Sequence, residues 1–407
     1  MSRTLRARGA LRRAGVGLSL AVMALALAGC ASSVPTTDAP SSIPPSPTAL
    51  ATWARTAGGT WATVAMGHLD HPLDTFWQLL HRPLGAVAWT DEVEPTATAT
   101  NGGLVLATSP PDDVAVGILP SYDLTFTPIV STANSGHSWS AGLFDHEMVP
   151  APNAFAIGPG GRALAIAARG RHGDEVFTSM VDLSSWKPLV TASVLDSAPH
   201  AAACSPRGIS AVGFVRGTVV IGAACARPGR AGLFTDHAED LAFVGPHLSP
   251  PLSHDLVAVL GLDPVRTGLV ALLGLSGHHQ TELIASWTAD GTSWQDSLPL
   301  HVAHGQRLVS YGPTAGGGIF ALLAGRKGDQ QLDTVGEPAG TWHPLPAPPP
   351  DTATIAYPTG GGANALAVHG TVLTVWQLLP ASDRPASDRW SEIQVLHVPI
   401  QFGSSNP

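Results

Sequence analysis

The chain has 407 residues, among them 44 Gly and 36 Pro, with only 13% charged residues and a formal charge of −9 at pH 7. Its only lysines are Lys187 and Lys327. An acidic body so poor in cations sets aside nucleic acid as a partner.

In chain order, the first segment is basic and then apolar. Arg3, Arg6, Arg8, Arg12 and Arg13 precede the run AGVGLSLAVMALALAG. That run is shorter than the roughly 20 apolar residues a spanning helix needs, which predicts an export signal over residues 1–29. The signal ends in LAGC, with Cys30 last. Small residues before a cysteine at this point resemble the lipobox of bacterial lipoproteins. The resemblance implies cleavage before Cys30, its lipidation (thioether and palmitate chemistry) and extracytoplasmic anchoring to the cell membrane. Residues 30–50 are rich in Ser, Thr and Pro and bury too little to offset ordering entropy, so they read as an extended tether. Loss of the signal leaves 16 Lys and Arg against 30 Asp and Glu, a net charge of −14.

From residue 51 the text is all short Ala/Val/Leu runs and Gly/Pro turns, the pattern of an all-β fold. Longer units recur. NAFAIGPGGRALAIAARG from Asn153, RLVSYGPTAGGGIFALLAG from Arg307 and ATIAYPTGGGANALAVHG from Ala353 share one layout, with a looser copy from Asp255. An aromatic residue marks the end of each unit: Trp89, Trp139, Trp186, Phe243, Trp294, Trp342 and Trp390, at steps of 50, 47, 57, 51, 48 and 48. TFWQLL at 75–80 echoes TVWQLL at 374–379. Such a period predicts a single β-propeller over residues 51–401, best fitted by seven four-stranded blades, with a disordered tail at 402–407. Residues 51–66 are expected to lend a strand to the last blade and close the ring. The other two cysteines, Cys204 and Cys225, lie on consecutive apolar runs and predict one disulfide.

One turn motif carries a further resemblance. In TANSGHSW, Thr132, Asn134, Gly136, Ser138 and Trp139 fill the pattern of the Asp-box (BNR) repeat of sialidase-like propellers, with Asn for Asp. Thr288, Asp290, Ser293 and Trp294 fill a copy one residue shorter. GEPAGTW, ending at Trp342, and RTAGGTW, ending at Trp61, are degenerate versions. The resemblance implies tight turns between outer strands, on the face away from a sialidase's catalytic centre. The family's Arg-Ile/Leu-Pro motif is missing, and Tyr122, Tyr311 and Tyr357 are the only tyrosines. No catalytic residue is therefore carried over.

Other clusters are weaker. His68, Asp70 and His71 have the donor types a transition metal takes, as does the pair His301 and His304. Asp91, Glu92 and Glu94 place carboxylates together, the residue type for acid–base work or Ca²⁺. Their ordinary roles are polar loops and solvated turns, and no cofactor is expected. The sequence thus points to a lipid-anchored propeller that binds a glycan or an envelope protein, with a diverged sialidase-like hydrolase as the alternative.

Overall fold

Apolar strands that alternate small and branched side chains pair antiparallel in sets of four, each strand hydrogen-bonded to the next in sequence. This is a computed structural model. It describes residues 51–68, 75–92, 102–119, 125–169, 172–180, 182–237, 240–248, 252–277, 281–359, 362–379 and 389–398. The second set is representative: Gly103–Ser109, Asp113–Leu119, Thr127–Thr132 and Ser140–Phe144. Val105 faces Gly117, Val116 faces Val130, and Ile129 faces Gly142.

Seven such sets follow one another among the described residues, at 52–91, 103–144, 155–191, 206–243, 256–296, 307–345 and 352–397. We call them blades one to seven in chain order. Their first strands form an inner ring: Thr52–Arg55, Gly103–Ser109, Phe155–Ile157, Pro206–Val215, Leu256–Val265, Arg307–Pro313 and Thr352–Ala356. Each inner strand packs on the inner strands of its two neighbours, and the seventh returns to the first. The fold is a β-propeller around a central channel. The hydrophobic clusters lie between blades as well as within them. One joins Val64 and Trp89 of blade one to Leu366 and Val375 of blade seven.

The ring closes differently from the sequence expectation. Residues 51–66 lend no strand to the last blade; Thr52–Arg55 and Gly59–Gly67 are the first two strands of blade one. Blades one and seven are complete separately and are joined by side chains. Gln394 Nε2 donates to the Trp89 carbonyl, and the Trp89 amide donates to Gln394 Oε1, both at 2.7 Å. Asn364 Oδ1 accepts from Arg82 Nη1 at 2.8 Å and from Trp89 Nε1 at 3.3 Å. The Gly67 amide adds a backbone bond to the Gly370 carbonyl.

The aromatic markers take on a physical role. Trp186, Trp342 and Trp390 donate their indole N–H to the backbone of the preceding blade, at Leu143 (3.0 Å), Leu298 (3.0 Å) and Pro346 (3.1 Å). Each is a latch between neighbouring outer strands. Phe243 breaks the pattern: it ends its strand instead of opening it and packs on Phe234 of its own blade. Trp342→Phe is expected to cost about 1–2 kcal/mol, through the lost bond and the smaller ring, read as a shift in the urea midpoint.

Cys204 and Cys225 are disulfide-bonded, with Cα atoms 4.7 Å apart. Both are fully buried, and the bond ties the start of blade four to the end of its second strand.

Candidate functional site

The two Asp-box-like turns link third to fourth strands, in blades two and five. In the first, Asn134 Oδ1 accepts from Thr132 Oγ1 at 2.9 Å and from the Ser138 amide at 3.0 Å. In the second, Asp290 Oδ1 accepts from the Thr292 and Ser293 amides at 2.8 and 2.9 Å. Those backbone donors hold the Asp290 carboxyl far below its usual range. Gly136 and Gly291 have φ of 86° and 83°, a region that favours glycine. GEPAGTW occupies the equivalent turn of blade six, whereas RTAGGTW is the first-to-second turn of blade one.

The other sequence candidates do not assemble into a centre. Cys30, Asp70, His71 and Glu94 lie outside the described residues, as do the expected signal, tether and tail. The His68 carbonyl accepts from Thr75 Oγ1. Asp91 accepts from Gln78 Nε2 in the outer part of blade one, and burial raises both Asp91 and Glu92. Among the described residues no group of three or more His, Cys, Asp or Glu is placed to hold a metal ion.

The structure also builds a cavity at the channel mouth, from residues that the sequence did not mark. Six inner strands enclose a cavity of about 520 Å³ at the end of the channel where those strands terminate. Its walls include Trp53, Phe155, Phe214 and Leu262. Its floor is a polar plug centred on Asn153. The Asn153 amide pairs with one residue of blade five as a strand would: Nδ2 donates to the Leu262 carbonyl at 2.9 Å, and Oδ1 accepts from the Leu262 amide at 3.1 Å. From blade six, the Tyr311 hydroxyl lies 2.8 Å from both Asn153 Oδ1 and the Leu260 carbonyl. The Asn153 carbonyl accepts from the Val212 amide of blade four at 2.8 Å. One side chain and its backbone thus join blades three, four, five and six at the axis.

Tyr311 fits there because Gly261 has no side chain. A Cβ at that position would sit 2.2 Å from the tyrosine oxygen. Asp263 adjoins the plug. Its residue is half-buried, but Oδ2 is closed to solvent and has no hydrogen-bond partner. Burial pushes its carboxyl up to about 7, against a smaller opposing effect of its hydrogen bond with Asn153. Burial also raises the Tyr311 phenol well above its ordinary value, and the Asp263 charge adds to this. At the rim, Arg55 ends its inner strand, while Arg216 and Arg266 occupy the first-to-second turns of blades four and five. Arg216 and Gly217, with φ of 50° and 87°, form a tight hairpin turn that places the arginine at its tip.

Apolar walls with a few convergent polar groups are the general make-up of small-molecule sites. The echo VRGT at 215–218 and VRTG at 265–268 was the one sequence signal that could have aligned two of the arginines.

No known protein-family profile matches the chain, and no curated protein matches it. Among solved structures it is similar to one of two prolyl endopeptidases (14% identity, TM-score 0.41). The match covers 81% of this chain but only 45% of that one, so the chain spans less than half of that enzyme's length. It is also similar to YCF48, solved bound to D1 peptide (13% identity, TM-score 0.42, 79% of this chain and 89% of that chain). A third likeness is to the six-bladed, fucose-recognising lectin of Aleuria aurantia (12% identity, TM-score 0.40, 74% of this chain and 99% of that chain). The fold stands on the sheets of the chain itself: it is a β-propeller with a plugged central channel and a cavity above the plug.

Proposed function

We propose that the protein is a lipid-anchored, extracytoplasmic β-propeller that binds a ligand in its channel cavity. The observation that carries the binding part is the built character of that cavity. A buried hydrogen-bonded floor, aromatic walls and arginines on the rim come from six blades and converge on one space. The envelope part rests on the sequence LAGC at Cys30 and the polar tether after it.

A sialidase-like hydrolase is the weaker reading. Among the described residues Asp263 is the only carboxylate that lines the cavity, and the Tyr311 hydroxyl is already engaged by Leu260 and Asn153. In an antiparallel four-stranded blade, first-to-second and third-to-fourth turns lie on the same face. The cavity therefore opens on the face of the Asp-box-like turns, which in sialidases lies away from the catalytic centre.

Two measurements separate these readings. Metabolic labelling with a palmitate analogue is expected to mark the unaltered chain and not the Cys30→Ser variant; labelling of neither or of both equally would overturn the anchor. Purified protein is expected to leave fluorogenic sialosides and other glycosides uncleaved, and turnover would favour the hydrolase.

A further inference from the structure

The ligand-binding reading leaves the chemistry of the ligand open, and the charges around the cavity narrow it. Arg55, Arg216 and Arg266 lie on blades one, four and five, at the same end of the channel. None of the three forms a salt bridge or a side-chain hydrogen bond among the described residues. Arg55 has only the face of Trp53, with its guanidinium carbon 5.9 Å from the ring centroid. The cavity wall partly desolvates its guanidinium and lowers its pKa, although the residue as a whole is exposed. Even with Asp263 ionised, three cations face one anion in a chain whose net charge is −9. A positive collar around a concave apolar space concentrates anions there, and guanidinium forks match the oxygens of an oxyanion.

We propose that the cavity takes a small organic anion, its apolar body seated against Trp53, Phe155 and Phe214 and its oxyanion held by Arg55, Arg216 and Arg266. This rests on the binding reading above and specifies its ligand class. The charge lies at the rim and the apolar surface below it, so an amphipathic molecule satisfies both where a free inorganic ion satisfies one. The plug of Asn153 and Tyr311 sets the depth, because it closes the channel beneath the ligand. Carboxylates, sulfonates and phosphate monoesters share the chemistry the collar recognises.

Isothermal titration of the purified full-length chain with naphthalenesulfonate, and with the uncharged naphthalenemethanol, tests the idea. The sulfonate is expected to bind about ten-fold or more tightly than the alcohol, since charge-assisted hydrogen bonds are each strong enough for that ratio. Raising the salt concentration should narrow the gap. Arg55→Gln, Arg216→Gln and Arg266→Gln should each weaken the sulfonate several-fold and together erase its advantage, with the alcohol unchanged. These arginines are exposed and stand in turns or at a strand end, and the comparison of the two probes on the unaltered chain needs no variant. Equal affinity for both probes, or sulfonate binding indifferent to the triple variant, would overturn the anion proposal and leave the binding cavity standing. Binding of neither probe would overturn both.

Discussion

Asn153→Ala is expected to lower stability by about 2–4 kcal/mol, an unusually large cost for removing one half-buried amide. The reason is what it leaves behind. The Leu262 amide and carbonyl face the channel and have Asn153 as their partner, and each buried backbone group left unpaired costs about 1–3 kcal/mol. Tyr311 keeps the Leu260 carbonyl, so it remains partly anchored. Asn153→Asp is the informative companion. It preserves the acceptor but loses the Nδ2 donor, and it sets a second carboxylate beside Asp263. It should therefore be at least as destabilising near neutral pH and should recover on acidification, whereas the alanine variant should not. Urea melts of both variants at two pH values would show this. A cost below about 0.5 kcal/mol for the alanine variant, the range of ordinary surface substitutions, would mean the plug is not a structural hub.

The second large effect concerns Asp263. Its carboxyl titrates near 7 in the folded chain, against about 4 for an unperturbed aspartate. Below about pH 4 the folded and unfolded chains both hold the proton; between about 4 and 7 the folded chain holds it preferentially. Stability from this group is thus fully present at low pH and falls as the pH rises through that window, by at most about 4 kcal/mol. His81 works in the opposite direction. Burial, with a smaller effect of His137, holds its imidazole down to about 4, and its ring is stacked on Trp61 at 3.9 Å. Its contribution is present above about pH 6.5 and is lost as the pH falls towards 4. Asp263→Asn removes only the first of these slopes. Between about pH 5 and pH 8 the unaltered chain should lose more thermal stability than the variant, and at the upper end the variant should be the more stable. Superimposable melting temperature profiles would show that Asp263 keeps no buried proton.

Much of the blade was legible in the sequence. The repeats from Asn153, Asp255, Arg307 and Ala353 are each a first strand, its turn and a second strand. TFWQLL and TVWQLL lie in the third strands of blades one and seven. The tryptophans at steps near 48 sit at the outer strands, where three of them, Trp186, Trp342 and Trp390, latch onto the preceding blade. Asp290 and Asn134 lie in the turns after their third strands and cap amides two to four residues ahead.

What the sequence by itself determined is therefore everything set within one repeat: the strand pattern, the turns, the period, and from these the propeller. What only the tertiary structure decided is what meets at the axis and at the seam. Closure by Trp89, Arg82, Asn364 and Gln394 joins residues 275–305 positions apart. The cavity takes Arg55, Asn153, Arg216, Asp263, Arg266 and Tyr311 from five different blades, each looking like an ordinary turn or strand residue in its own repeat. Local patterning carries no record of such meetings. They exist because the ring brings the inner strands and turns of different blades to one point, where one or two residues from each line a shared cavity.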